Sequence, residues 1–249
     1  MTNKSPKLLS VAADAKTVKG QKKGYLTGVM YLAPYDVSGF QVCPNASAGC
    51  KLSCLYTAGR GIYSNTQNSR IAKTKRFFAD KALFMAQLAD EIEALKRKAK
   101  RNDMIPVVRL NGTSDLPWEK IKVTHKGKEY ASIMECFPEV QFYDYTKILG
   151  RNKAISLPNY QLTFSLAEDN DARALKAMEQ GYNVAVVMKL GRTEPKPATW
   201  SGYPVHDGDE TDLRFLDPAG HIIGLFAKGK GRKDTSGFVR SIDSVMLSA

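Results

Sequence analysis

Residues 140–189, VQFYDYTKILGRNKAISLPNYQLTFSLAEDNDARALKAMEQGYNVAVVMK, decide the fold class. Three short runs rich in aliphatic and aromatic residues, 140–145, 161–166 and 184–189, read as strands, and a helical stretch near 170–179 separates the last two. Strands that alternate with helices predict βα units and a largely parallel sheet, because a parallel pair needs a crossover long enough to hold a helix.

Outward from this stretch the pattern continues. Residues 25–32, YLTGVMYL, are stopped by Ala33-Pro34 and predict an early strand; 105–110 and 222–226 predict further strands, and 128–136 a helix. Between 66 and 101 the apolar residues recur at helical spacing. Asp80 offers a side-chain acceptor for a first helical turn, so this stretch divides into helices near 66–79 and 80–101. Residues 1–23 are Lys-rich and without period and predict a flexible basic lead-in, leaving 24–249 as a single α/β iron–sulfur domain. Its expected architecture is a partial barrel-like or open, mostly parallel sheet with a long helical insertion after a cysteine loop. Pro195, Lys196 and Pro197 mark an irregular excursion between strands.

The chain has 249 residues and a formal charge of +12, a surplus that favours polyanionic partners, either nucleic acid or an acidic host-protein surface. No apolar run approaches the roughly 20 residues of a membrane helix, and the N-terminus lacks a signal-peptide core. The expected setting is the cytoplasm, with no membrane partner. In a reducing compartment, clustered cysteines read as metal ligands or reactive thiols rather than disulfides.

Cys43, Cys50 and Cys54 lie in CPNASAGCKLSC, a C-x6-C-x3-C spacing on a loop of small residues that follows the first expected strand. Three thiolates turned to one point would suit a [4Fe–4S] cluster, with small residues letting backbone N–H groups approach sulfur. Zinc is the alternative, although it usually draws on C-x2-C pairs, which are missing here. Cys136 falls at the end of the helix before strand 140–145, opposite the strand exits, and suits a buried apolar role. In parallel α/β folds ligands gather at the carboxyl ends of the strands. The expected fourth ligand or site wall is therefore Asp115, Asp144 or Asp209, and the expected anion or ligand contacts are Arg60, Lys147 and Lys189. Arg70, Lys73, Lys75 and Arg76 surround the first helix and are candidate nucleic-acid contacts. The acidic group in HDGDETDLRFLD would bind a cation or pair with Arg214.

The runs GYLTGVMYLAP, VCPNASAGCKLSCLYTAGRG and SRIAKTKRFFADKALFMAQLADEIEAL are similar to the phage gene product 88 domain family. That resemblance implies a phage origin and a cysteine-bound site rather than a particular reaction. A three-cysteine loop after the first strand of a βα fold also resembles radical SAM enzymes. It implies a radical-SAM-like partial barrel, a [4Fe–4S] cluster and S-adenosylmethionine on its open iron. The spacing departs from the C-x3-C-x2-C of those enzymes, and no glycine-rich strand stands ready for the methionine amino group. Two functions follow: a phage-encoded iron–sulfur protein related to radical SAM enzymes, or a non-catalytic accessory protein that binds nucleic acid or a host protein around a structural iron–sulfur or zinc site.

Overall fold

Nine strands form one sheet in the computed structural model, which describes residues 6–11, 15–191 and 193–246. In chain order the strands are β1 (Leu9–Val11), β2 (Tyr25–Met30), β3 (Ile105–Arg109), β4 (Val123–His125), β5 (Lys128–Tyr130), β6 (Gln141–Thr146), β7 (Tyr160–Ser165), β8 (Asn183–Met188), β9 (Thr199–Trp200), β10 (Tyr203–Asp207) and β11 (Ile222–Phe226). The helices are α1 (Ala15–Gln21), α2 (Ala48–Leu52), α3 (Ser64–Ala79), α4 (Lys81–Arg101), α5 (Ile133–Cys136), α6 (Asn152–Ile155) and α7 (Asp171–Glu179). The sheet order is β1-β2-β3-β6-β7-β8-β11-β10-β9, and β4-β5 stand apart as a hairpin. Strands β2, β3, β6, β7, β8, β11 and β10 run parallel, with β1 and β9 antiparallel at the two edges. The edges do not meet, so the sheet is open rather than closed into a barrel.

This order places the helices. From β2 to β8 each new parallel strand is added on the same side of the last, and right-handed crossovers in one direction deposit their connections on one face, whereas β10 is added beyond β8 and β11 returns to lie between them. Alternation along each strand then sorts the side chains. Leu26, Met30, Val108, Phe142, Phe164 and Val186 join Phe84, Leu88 and Ile92 of α4 and Ala174 and Ala177 of α7 in one core. Thr27, Arg109, Tyr143, Tyr145, Thr163 and Ser165 take the opposite registers, where Leu213 and Phe215 pack near Val107, Tyr143 and Tyr25. The face opposite α4 and α7 is thus the more polar one, with the 3-10 turn Arg214–Leu216 of the β10-to-β11 connection lying on it.

The division at Asp80 is present as expected: its side chain accepts a hydrogen bond from Leu83 N at 2.9 Å and caps α4. The two helices are the β2-to-β3 crossover layer rather than an insertion, since α4 packs on both strands. Strand β2 stops at Met30 because the following backbone turns to other partners: Ala33 N donates to Thr74 Oγ1, and Leu32 O accepts from Thr113 Oγ1. The helix expected at 128–136 is corrected to β5 and the four-residue α5, since Lys126 and Gly127, both at positive φ, form a two-residue hairpin turn. A second such turn, Ser201-Gly202, closes β9 on β10. Of the expected lead-in, residues 1–5 and 12–14 lie outside the described residues, while 9–11 add edge strand β1 and 15–21 form α1.

Candidate functional site

The loops that leave β2, β3, β6 and β7 meet at the carboxyl edge, and the cysteine loop lies across them. Its anchor is Glu168 after β7, whose carboxylate accepts from Ser47 Oγ at 2.7 Å and from Gly49 N at 2.6 Å. Ser47 in turn caps α2 by accepting from Cys50 N. Glycine at 49 leaves room for this contact, because a Cβ there would stand 2.1 Å from Ser236 Oγ and 2.8 Å from both Glu168 oxygens, which would then have to shift. Asn45 Nδ2 reaches Lys147 O at 3.2 Å and ties the loop to the exit of β6.

The three cysteines do not form the expected metal site. Among the described residues no group of three or more His, Cys, Asp or Glu side chains is placed to hold one metal ion, and all four cysteines are free. Cys43 is engaged locally: its Sγ accepts from Tyr35 N at 3.3 Å and faces Thr113 O at 3.7 Å. Burial pushes its thiol up to about 12 and that of Cys54 to about 11. The iron–sulfur reading, the structural zinc alternative and the radical-SAM-related function therefore fall together. Cys136 packs against the core at the end of α5, away from the strand exits.

The expected carboxylates have other duties. Asp115 Oδ2 accepts from Lys147 N, and its other oxygen lies 3.6 Å from Arg151. Asp144 is wholly buried, accepting from Asn111 N at 2.6 Å and from Tyr160 Oη at 2.9 Å, and burial raises its pKa to about 7. Asp209 pairs with Lys228 at 3.1 Å and accepts from Phe226 N at 2.7 Å. In the acidic group, Asp212 pairs with Arg109 at 2.7 Å, and Arg214 pairs with Asp217 at 3.1 Å.

What the edge does bring together is cationic. Arg70, on α3, is 8% exposed, and its guanidinium lies 4.7 Å from the Tyr31 ring centroid and 5.7 Å from that of Tyr56. Its Nε and Nη1 are buried and donate no hydrogen bond among the described residues. Lys147 is also 8% exposed; its ammonium donates to Ser165 Oγ at 2.7 Å, lies over the Phe238 ring, and has no ion-pair partner among the described residues. Both charges act on Cys54, lowering its pKa against the larger effect of burial. A point beside Cys54 therefore feels two buried cations that form no ion pair among the described residues, Lys147 being offset in part by the nearby Asp115 carboxylate. Leaving such groups uncompensated is costly, and an anion at that point would offset the cost.

The other expected contacts are dispersed. Lys73 is buried, donating Nζ to Leu8 O at 2.7 Å; Arg76 reaches Pro6 O and Gln87. Lys75, Arg60 and Lys189 are exposed, the last after the end of β8. Tyr31, Tyr56, Ser165 and Phe238 complete the site without a sequence signal of their own.

The profile of the family described as Gene product 88 matches residues 7–242. No curated protein and no solved structure matches the chain, and the likeness to radical SAM enzymes finds no support in these comparisons. No helix among the described residues is long and apolar enough to cross a membrane.

Proposed function

We propose that this chain, which belongs to the Gene product 88 family, binds an anionic ligand at the carboxyl edge of its parallel sheet, with Arg70 and Lys147 receiving the negative charge beside Cys54. The observation that carries this reading is the Arg70 guanidinium, buried between two tyrosines with Nε and Nη1 unpaired. A guanidinium stacked on aromatic rings is held in place before the ligand arrives, so less ordering is left for binding to supply. Lys147 adds a point charge, and Ser165 holds its ammonium at the rim of the polar sheet face.

The placement at the strand exits suits a ligand site in an open parallel sheet. Calorimetric titration with inorganic phosphate, against chloride at matched ionic strength, tests the reading. Saturable binding near one phosphate per chain supports it; a response to phosphate no different from that to chloride refutes it.

A further inference from the structure

From Val37 to Ala79 the sequence contains no Asp or Glu, and the same is true from Pro218 to Lys233. The fold packs these two acid-free segments against each other. Gly229, at φ +53, approaches Thr57 O and Ala58 so closely that a Cβ would lie 2.8 Å from the Ala58 side chain, and Gly231 faces Ser53. The basic turn Gly229–Lys233 is thereby fixed beside the turns Leu55–Thr57 and Gly59–Ile62. Lys230, Arg232 and Lys233 are exposed on one side of this junction, and Arg60 is exposed on the other. Tyr63 follows at 61% exposure. Tyr56, whose ring carries Arg70, lies in the middle of the same junction, so the basic surface borders the anion site.

We infer that this surface binds single-stranded nucleic acid, one of whose phosphates enters the Arg70–Lys147 site; the inference rests on the proposed anion site for that last step. Cations on both sides of this junction complement a repeating phosphate chain, the Asp234 carboxylate beside it being taken up by Ser53 Oγ, Ser236 Oγ and Val239 N, and an exposed tyrosine beside Arg60 offers a base a stacking platform. An anionic membrane fits less well. Its usual partner is a continuous amphipathic helix, whereas these residues lie on single 3-10 turns next to the five-residue α2. An acidic protein would answer the cations but has no use for a phosphate site.

The test is fluorescence anisotropy of a labelled thymidine 20-mer with the full chain, in parallel with phosphate calorimetry. The comparison variants are Lys230→Glu/Arg232→Glu/Lys233→Glu and Tyr63→Ala. Binding is expected to weaken about 50-fold between about 50 and about 200 mM salt for about four phosphate contacts. The triple reversal is expected to lower affinity at least about tenfold, and Tyr63→Ala about 5- to 50-fold, while both variants retain the phosphate response. Absence of strand binding, indifference to the triple reversal, or stronger binding to phosphatidylserine vesicles or polyglutamate overturns the inference. If phosphate binds and the strand does not, this inference alone fails. If the strand binds and phosphate does not, the anion site is what fails.

Discussion

The guanidinium of Arg70 stands 4.7 Å from the centroid of the Tyr31 ring, joining a residue just past the end of β2 to one in the middle of α3. This contact makes Arg70 part of the strand-exit site rather than of the helix surface. A cation over an aromatic face gains roughly 1–2 kcal/mol when desolvated. Tyr31→Leu is expected to weaken phosphate binding about 5- to 30-fold by releasing the guanidinium, while Tyr31→Phe keeps the ring and stays within about threefold of wild type. Calorimetric dissociation constants for the two variants check this.

Asp80 tests the division of the helical layer. Its carboxylate accepts from Leu83 N, and its backbone leaves α3 in an extended conformation. Asp80→Ala is expected to lower unfolding free energy by about 1 kcal/mol, whereas Asp80→Asn, which keeps the acceptor, is expected to cost a few tenths. Urea denaturation measures both.

Asp144 sets a pH dependence. Burial raises its folded pKa to about 7, against the pull of Asn111 N–H, Arg109 and Tyr160 in the opposite direction. The folded state therefore holds a proton that the unfolded chain releases near its ordinary value of about 4. Stability from this group is present below about pH 4 and declines as pH rises to about 7, where the folded carboxyl also ionises. The difference in unfolding free energy between Asp144→Asn and wild type should shift in favour of the variant by a few kcal/mol from pH 4 to pH 8. A difference that stays flat with pH contradicts the raised pKa.

Glu168 holds the cysteine loop. Glu168→Gln replaces one of the two oxygens that receive Ser47 Oγ and Gly49 N, so the loop should open more often. Cys54, kept a thiol near neutrality by burial, should then react with a disulfide reagent at pH 8 at least about tenfold faster, for a loss of about 1.4 kcal/mol in local stability. An unchanged rate would show that Glu168 does not hold the loop closed.

Six strands of the parallel sheet, β2, β3, β6, β7, β8 and β11, were legible because each is a short apolar run bounded by turn residues, and the break between α3 and α4 because Asp80 has the chemistry of a cap; β10, YPVHD, was missed because it has no such run. The hairpins were not. Lys126-Gly127 and Ser201-Gly202 form two-residue turns in which a non-glycine residue takes positive φ, and neither carries the Asn-Gly or Asp-Gly signal of such turns. Chain proximity of Cys43, Cys50 and Cys54 suggested convergence, but Cys43 is drawn to Tyr35 N and Thr113 O by contacts that spacing alone does not encode. Arg70 read as one of several basic residues around a helix. Its burial depends on Tyr31 and Tyr56, which meet it only in the fold.

Arg70 and Lys147 are buried cations placed to receive an anion. Thermal unfolding of Arg70→Met/Lys147→Met beside wild type, with and without inorganic phosphate, tests this. Without phosphate the variant is expected to melt no lower than wild type, because removing two buried charges that form no ion pair among the described residues offsets the lost contacts. Phosphate at about 100 times its dissociation constant should stabilise wild type by about 2.7 kcal/mol and leave the variant unmoved. A phosphate shift of equal size in both proteins would contradict the account.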